Sequence, residues 1–96
     1  MVSSRISGFY KLPIEERQRI AAERLDLTAV EIKSLEQGGL ERDVADKMIE
    51  NVVGAFTLPF ALGLNAQMNG KDYLVPLVVE EPSVVAAASN AARIIR

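Results

Sequence analysis

The stretch Val75-Pro76-Leu77-Val78-Val79-Glu80-Glu81-Pro82-Ser83-Val84-Val85-Ala86-Ala87-Ala88-Ser89-Asn90 sets the architecture: an apolar run gives way to two carboxylates, then to an alanine-rich segment. Proline suits the first position of a helix, because its φ is fixed near the helical value and its missing N–H would be unpaired there. The pattern predicts a strand ending near Val79 and a helix from Pro82 to Arg96, with Glu81 at or beside the N-cap and Ser83 in the first turn. Free N–H groups and the positive dipole end at such a start favour an anion, either the glutamate itself or a ligand. On local chemistry alone the simpler reading is a strand, a turn and a helix whose acidic residues only complement the dipole.

Working outward, Tyr73 to Val79 is almost continuously hydrophobic, which predicts a strand buried on both faces. Asn69-Gly70 before it is a hairpin-turn signal, since both residues tolerate positive φ. Val52 to Ala66 is apolar but interrupted by Gly54, Pro59 and Gly63, so it reads as extended chain in which Pro59 excludes a regular central strand. Further upstream the period is helical. Pro13 opens a helix from Ile14 to about Leu25, with Ile20, Ala21 and Leu25 on one face. Thr28-Ala29-Val30-Glu31 has the capping-box pattern and starts a second helix to about Glu36, stopped by Gly38-Gly39. A third helix is expected from about Glu41 to Asn51, with Val44, Ala45, Met48 and Ile49 as its apolar stripe. Met1 to Leu12 has no clear period and reads as an extended arm carrying Phe9-Tyr10. In the last segment Val84, Val85, Ala88, Ala92 and Ile95 share a side, and no Gly, Asn or Pro ends the pattern. The expected fold is α+β: an arm, three short helices, a hairpin-like strand pair and the start of a long helix.

Composition narrows the function. A 96-residue chain is one domain at most and buries a modest share of its surface. Hydrophobic residues at 49% and charged ones at 25% suit a globular protein, not a disordered one. A net charge of -2 gives no reason to expect nucleic acid or an anionic membrane as partner. The absence of cysteine removes disulfides and thiolate metal sites and fits a cytoplasmic setting; the absence of histidine removes the commonest general base and metal ligand. No metal is expected. No basic region followed by an apolar core marks a secretory signal, and no run reaches the roughly 18 apolar residues of a membrane span.

Three blocks carry a more specific message: Met48-Ile49-Glu50-Asn51-Val52-Val53-Gly54, Asn69-Gly70-Lys71-Asp72-Tyr73-Leu74-Val75-Pro76 and Glu80-Glu81-Pro82-Ser83-Val84-Val85-Ala86-Ala87-Ala88-Ser89-Asn90. In this order and spacing they resemble the soluble, class II hydroxymethylglutaryl-CoA reductases of bacteria and archaea. The likeness runs from about Ser4 to Arg96 and covers the opening portion of such an enzyme. It implies that residues 1–96 are the N-terminal part of the large, substrate-binding and dimerising domain. The nicotinamide-binding domain and the C-terminal part would then be missing, and the chain would stop inside the long central helix as a truncated or disrupted product.

The resemblance implies site residues. Glu81 matches the family's catalytic acid, while Glu80, its neighbour in extended chain, points to the other face. Desolvation by Val78, Val79 and Pro82 would raise the carboxyl pKa; the helix dipole would lower it. Ser83 matches the position that hydrogen-bonds the hydroxymethylglutaryl group, its alternative role being a helix-start hydroxyl. Glu50 to Gly54 matches a signature block near the subunit interface and active site. The arm's basic residue that meets the CoA phosphates falls on Tyr10 in register, one residue from Lys11. The implied parent activity interconverts (S)-3-hydroxy-3-methylglutaryl-CoA with mevalonate and CoA, using NADH or NADPH bound outside these residues, in a homo-oligomer. The expected partners are thus hydroxymethylglutaryl-CoA, mevalonate and CoA. Gly38-Gly39 follows a helix and is in the wrong context for a phosphate loop. A reading from another class remains: a small non-enzymatic α+β dimerisation domain in which Glu80-Glu81 only caps a helix.

Overall fold

Helix starts and stops follow local chemistry closely. In this computed structural model, which describes residues 3–96, Pro13 is the extended residue before α1 (Ile14–Leu25). Asp26 in the left-handed region ends α1 with paired bonds, Asp26 N–H to Glu23 O and Leu27 N–H to Ala22 O. That is the Schellman arrangement, with aspartate where glycine is usual. Thr28 and Glu31 close the expected capping box at the start of α2 (Ala29–Gln37): Thr28 N–H donates to the Glu31 carboxylate at 2.8 Å, and Glu31 N–H to Thr28 Oγ1 at 3.2 Å. Those Thr28 bonds hold the Glu31 carboxyl below its ordinary pKa.

Two expectations in this half are corrected. The arm is not extended throughout, because Phe9–Lys11 forms a single 3-10 turn after left-handed Gly8. α3 (Arg42–Met48) is shorter than expected: Ile49 is already extended and Asn51 sits at φ 60, so the chain turns before the predicted end. Of its apolar stripe only Ala45 is buried; Val44, Met48 and Ile49 stay exposed.

Strands β1 (Phe60–Met68) and β2 (Lys71–Val78) form one antiparallel hairpin. Pro59 stands just before β1, where its missing N–H costs no ladder bond. Asn69 (φ 54) and Gly70 (φ 76) make the two-residue turn, the sign pattern of type I′. Pairing runs Gly63↔Val75 and then Ala66↔Tyr73, so Leu64 and Asn65 together oppose Leu74. This β-bulge has Asn65 at φ 68. α4 (Val84–Ile95) packs on β1.

Burial of β2 on both faces is not found. Leu74 is 7% exposed, but Val75 and Val78 remain open, because the covering layer within this chain is a single 12-residue helix seated on β1. The face of α4 also differs from expectation. The covered positions are Val85, Ser89, Ala92 and Arg96, while Val84, Ala88 and Ile95 face out. Two polar residues displace apolar ones there because the bulge presents polar groups to the helix.

The protein is elongated, 46 × 28 × 28 Å with a radius of gyration of 15.5 Å, against about 13 Å for a compact domain of this size. Its accessible surface is 7638 Å², whereas a folded monomer of its mass exposes roughly 5,400 Å². Among the described residues Ala21, Ala45 and Leu74 are the buried hydrophobic ones.

Candidate active site

β2 leads into the acidic turn. Val79 N–H donates to Pro59 O at 3.3 Å, holding the chain to the entry of β1 just before Glu80. Pro82 does not enter the helix as the sequence suggested. Ser83 has φ 75 and ψ −11, the conformation of the third residue of a type II turn with Pro82 at the second. The helix therefore starts at Val84, two residues later than expected, and Ser83 is its N-cap.

The cap is unconventional. Ser83 O accepts the first helical bond from Ala87 N–H at 2.9 Å, but the Ser83 side chain caps nothing. No hydrogen bond among the described residues engages Glu80 or Glu81, and both are exposed, as is Ser83. The expectation that one carboxylate faces an apolar wall is not met by residues of this chain, since both glutamates and the Pro82 and Ser83 that follow them are exposed. A non-glycine residue in the left-handed region costs about 1–3 kcal/mol and persists only where its surroundings hold it. Here a strained serine and an adjacent acid leave their polar groups unspent at the head of a helix.

Their placement depends on α4, which β1 holds through the bulge. Leu64 N–H turns from the ladder to Ser89 Oγ at 2.9 Å. Asn65 Nδ2 donates to Ser89 O at 3.1 Å. The far end of α4 is tied down too. Arg96 donates to Asn65 O at 3.2 Å and to Asp72 Oδ1 at 3.1 Å, the two ion-pair side chains being 12% and 11% exposed.

Asp72 is the hub of this cluster. Ser4, fully buried, donates its N–H to Asp72 Oδ2 at 2.8 Å. Its hydroxyl lies within reach of Asp72 Oδ2 (2.9 Å) and Ala66 O (3.1 Å), and its single proton serves one of them at a time. The Ser4 N–H first, then the Ser4 hydroxyl, Arg96 and Gln67, lower the Asp72 pKa to about 2 despite desolvation. Ser4 O accepts from Asn65 N–H at 3.0 Å, and Ser3 O from Arg24 of α1. The arm is thereby fixed to α1, the hairpin and α4. Sequence reasoning missed this set. The signal available was polar residues, Asn65 and Ser89, inside otherwise apolar or alanine-rich runs.

Glu81 and Ser83 thus share one turn. Lys11 lies on the 3-10 turn of the arm, its ammonium 5.7 Å from the centre of the exposed Tyr10 ring. Glu50 to Gly54 follows α3, and no hydrogen bond among the described residues joins it or Lys11 to the acidic turn. The residues present do not fit a nicotinamide dinucleotide: β2 passes into α4 through Glu80-Glu81-Pro82-Ser83, without the glycines that let a pyrophosphate approach a helix start. No helix among the described residues is long and apolar enough to cross a membrane.

Comparison with known proteins follows the same outline. The family model described as hydroxymethylglutaryl-coenzyme A reductase matches residues 13–96. The 3-hydroxy-3-methylglutaryl-coenzyme A reductase of Archaeoglobus fulgidus is 57% identical over 95 residues, covering 99% of this chain and 22% of that protein. Among solved structures, the 3-hydroxy-3-methylglutaryl-coenzyme A reductase of Streptococcus pneumoniae superposes with a TM-score of 0.83 at 44% identity, over 93% of this chain and 21% of that one. The class II enzyme of the same organism bound to NADPH in open conformations gives 0.82 at the same identity, over 93% and 24%. The chain spans about a fifth of the length of the curated relative it matches.

Proposed function

From the premise that this chain belongs to the hydroxymethylglutaryl-coenzyme A reductase family, we propose that it supplies the acid and a substrate contact for interconverting (S)-3-hydroxy-3-methylglutaryl-CoA and mevalonate. It would be the N-terminal part of the family's large, substrate-binding and dimerising domain. In this reading Glu81 holds the proton that the substrate's carbonyl oxygen takes as it becomes a hydroxyl. Ser83 hydrogen-bonds the hydroxymethylglutaryl group. NADH or NADPH would bind in the portion of family members that this chain does not span, so no step of cofactor chemistry is assigned to these residues. By itself the chain is expected not to turn over substrate or to bind either nucleotide. A homo-oligomer, a cytoplasmic setting and contact between the arm, near Lys11, and CoA belong to the same reading.

The observation that carries the proposal is the unspent chemistry at the head of α4. An interaction domain in which Glu80-Glu81 only caps the helix needs at least one bond from those side chains, or from Ser83, to the first N–H groups. Neither carboxylate makes one, and the Ser83 hydroxyl is likewise free. The excess accessible surface suits a segment that other protein covers.

The test is a full-length reductase in which this chain replaces the matching segment of the Archaeoglobus fulgidus relative. It is expected to oxidise NADH or NADPH in a manner dependent on hydroxymethylglutaryl-CoA. Glu81→Gln should lower turnover by about 10²–10⁴-fold, the usual worth of general acid catalysis, with substrate affinity nearly intact. Glu80→Gln should cost far less. Equal effects of the two substitutions, or none from either, would remove Glu81 from the mechanism.

A further inference from the structure

We propose that Asn65 and Ser89 are positioning residues for catalysis: the β1 bulge clamps α4 and thereby sets where Glu81 and Ser83 stand. This rests on the reading that those two residues act on substrate, and adds a pair that never touches it.

The argument begins with the bulge. Two residues of β1 opposing one of β2 break the ladder, which frees the Leu64 N–H and swings Asn65 out of the strand's alternation. Asparagine tolerates the left-handed backbone that Asn65 adopts, where a β-branched or bulky apolar residue would be strained. Both freed groups go to one residue of the helix. Leu64 N–H meets the Ser89 hydroxyl, and the Asn65 amide meets the Ser89 carbonyl. A hydroxyl bond fixes the rotation of α4 about its axis, because only one face can present Oγ to β1. The carbonyl bond fixes its position along the axis. Neither could be replaced by apolar packing, since a residue as small as Ala92, its neighbour on the covered face, would let the helix slide.

Ser89 lies six residues after Ser83, about 9 Å along a helix rising 1.5 Å per residue. Nothing flexible intervenes, as the helix begins directly after Ser83. The head of α4 is otherwise free: Ser83 caps nothing with its side chain and the acidic turn is exposed. The position of the Glu81–Ser83 turn is therefore set from one side by Val79 on Pro59 and from the other by Ser89 on the bulge. A displacement of about 1 Å at reacting groups can cost about a hundredfold in rate. Loss of the clamp should act through such displacement.

The experiment uses the full-length hybrid reductase described above. Asn65→Gly keeps the positive-φ backbone and deletes the amide, and Ser89→Ala deletes the hydroxyl. Each should lower kcat about tenfold or more, per folded enzyme measured well below its melting temperature, while KM for the nicotinamide nucleotide stays the same. Ser89→Thr, which retains the hydroxyl, should restore kcat to within about twofold of the parent. A merely structural role would lower the melting temperature of the Gly and Ala variants and leave kcat of the folded enzyme unchanged, which would overturn the proposal. Should Ser89→Ala not fold, Ser89→Cys keeps the volume with a weak acceptor: reduced kcat supports the clamp, and parental kcat refutes it. An inactive parent hybrid would defeat the functional reading, and this inference with it. An active parent whose clamp variants keep full kcat would defeat only the inference.

Discussion

The surroundings of Asp72 and the surroundings of Phe56 are opposites. At Asp72, residues from positions 4, 67 and 96 converge on one carboxylate, and the polar groups there are satisfied within the chain. Around Phe56, the groove formed by Leu40, Ala45, Met48, Ile49, Val52 and Phe56 is apolar and open; Phe56 is 90% exposed, and Val53 nearby is fully so. The first region has a structure that this chain completes. The second has side chains suited to a core but nothing laid over them. Contiguous exposed apolar surface of this kind marks contact with other protein. The lesson is that polar closure, not hydrophobic content, tells which part of this molecule is self-sufficient.

Two substitutions put that contrast at risk and a third calibrates them, taken from the largest expected loss of stability to the smallest. Asp72→Asn should be the most damaging, since it leaves the Arg96 guanidinium without its partner in a mostly buried site. Thermal melts should show the drop at neutral pH. They should also show a pH signature with a definite sign. The Asp72 pKa is lowered from 3.8 to about 2, so its contribution is complete above about pH 4 and is lost as the pH falls from there through about 2. Glu16 and Glu31 are lowered as well, by the Arg19 and Thr28 bonds respectively, so the diagnostic quantity is the difference between parent and variant. If that difference does not shrink on acidification, the hub is not held by the ionised carboxylate.

Thr28→Ala removes a local cap that belongs to neither region. Loss of such a cap costs about 1 kcal/mol, readable in a denaturant titration as a shift of the midpoint at constant slope. It calibrates the other two. Phe56→Ser should change the stability of the chain by no more than about 0.5 kcal/mol, as expected of an exposed position. The same substitution is expected to shift the chain toward lower mass in size-exclusion chromatography with light scattering, because it removes part of the exposed apolar surface available for association. A large loss of stability from Phe56→Ser would mean that the 52–59 segment is packed in solution, and the contrast between the two regions would collapse.

What the sequence determined by itself is the set of features governed by neighbours in the chain. The limits of α1 and α2, the capping box and the Asn69-Gly70 turn rest on contacts three or four residues apart or on the φ preference of a single residue. The adjacency of Glu81 and Ser83 at a helix head was legible for the same reason. Tertiary structure alone decided the rest. The bulge at Leu64 and Asn65 is a mismatch between two strands, and neither strand carries it by itself. It shifts a polar face of α4 inward, which the apolar periodicity of Val84 to Ile95 does not disclose. The left-handed Ser83, with Pro82 outside the helix, follows from how β2 must turn to bring α4 back onto β1, against the preference of proline for the first helical position. Asp72 reads as one more charged residue after a turn, until the fold brings Ser4 and Arg96, at opposite ends of the chain, to its two oxygens.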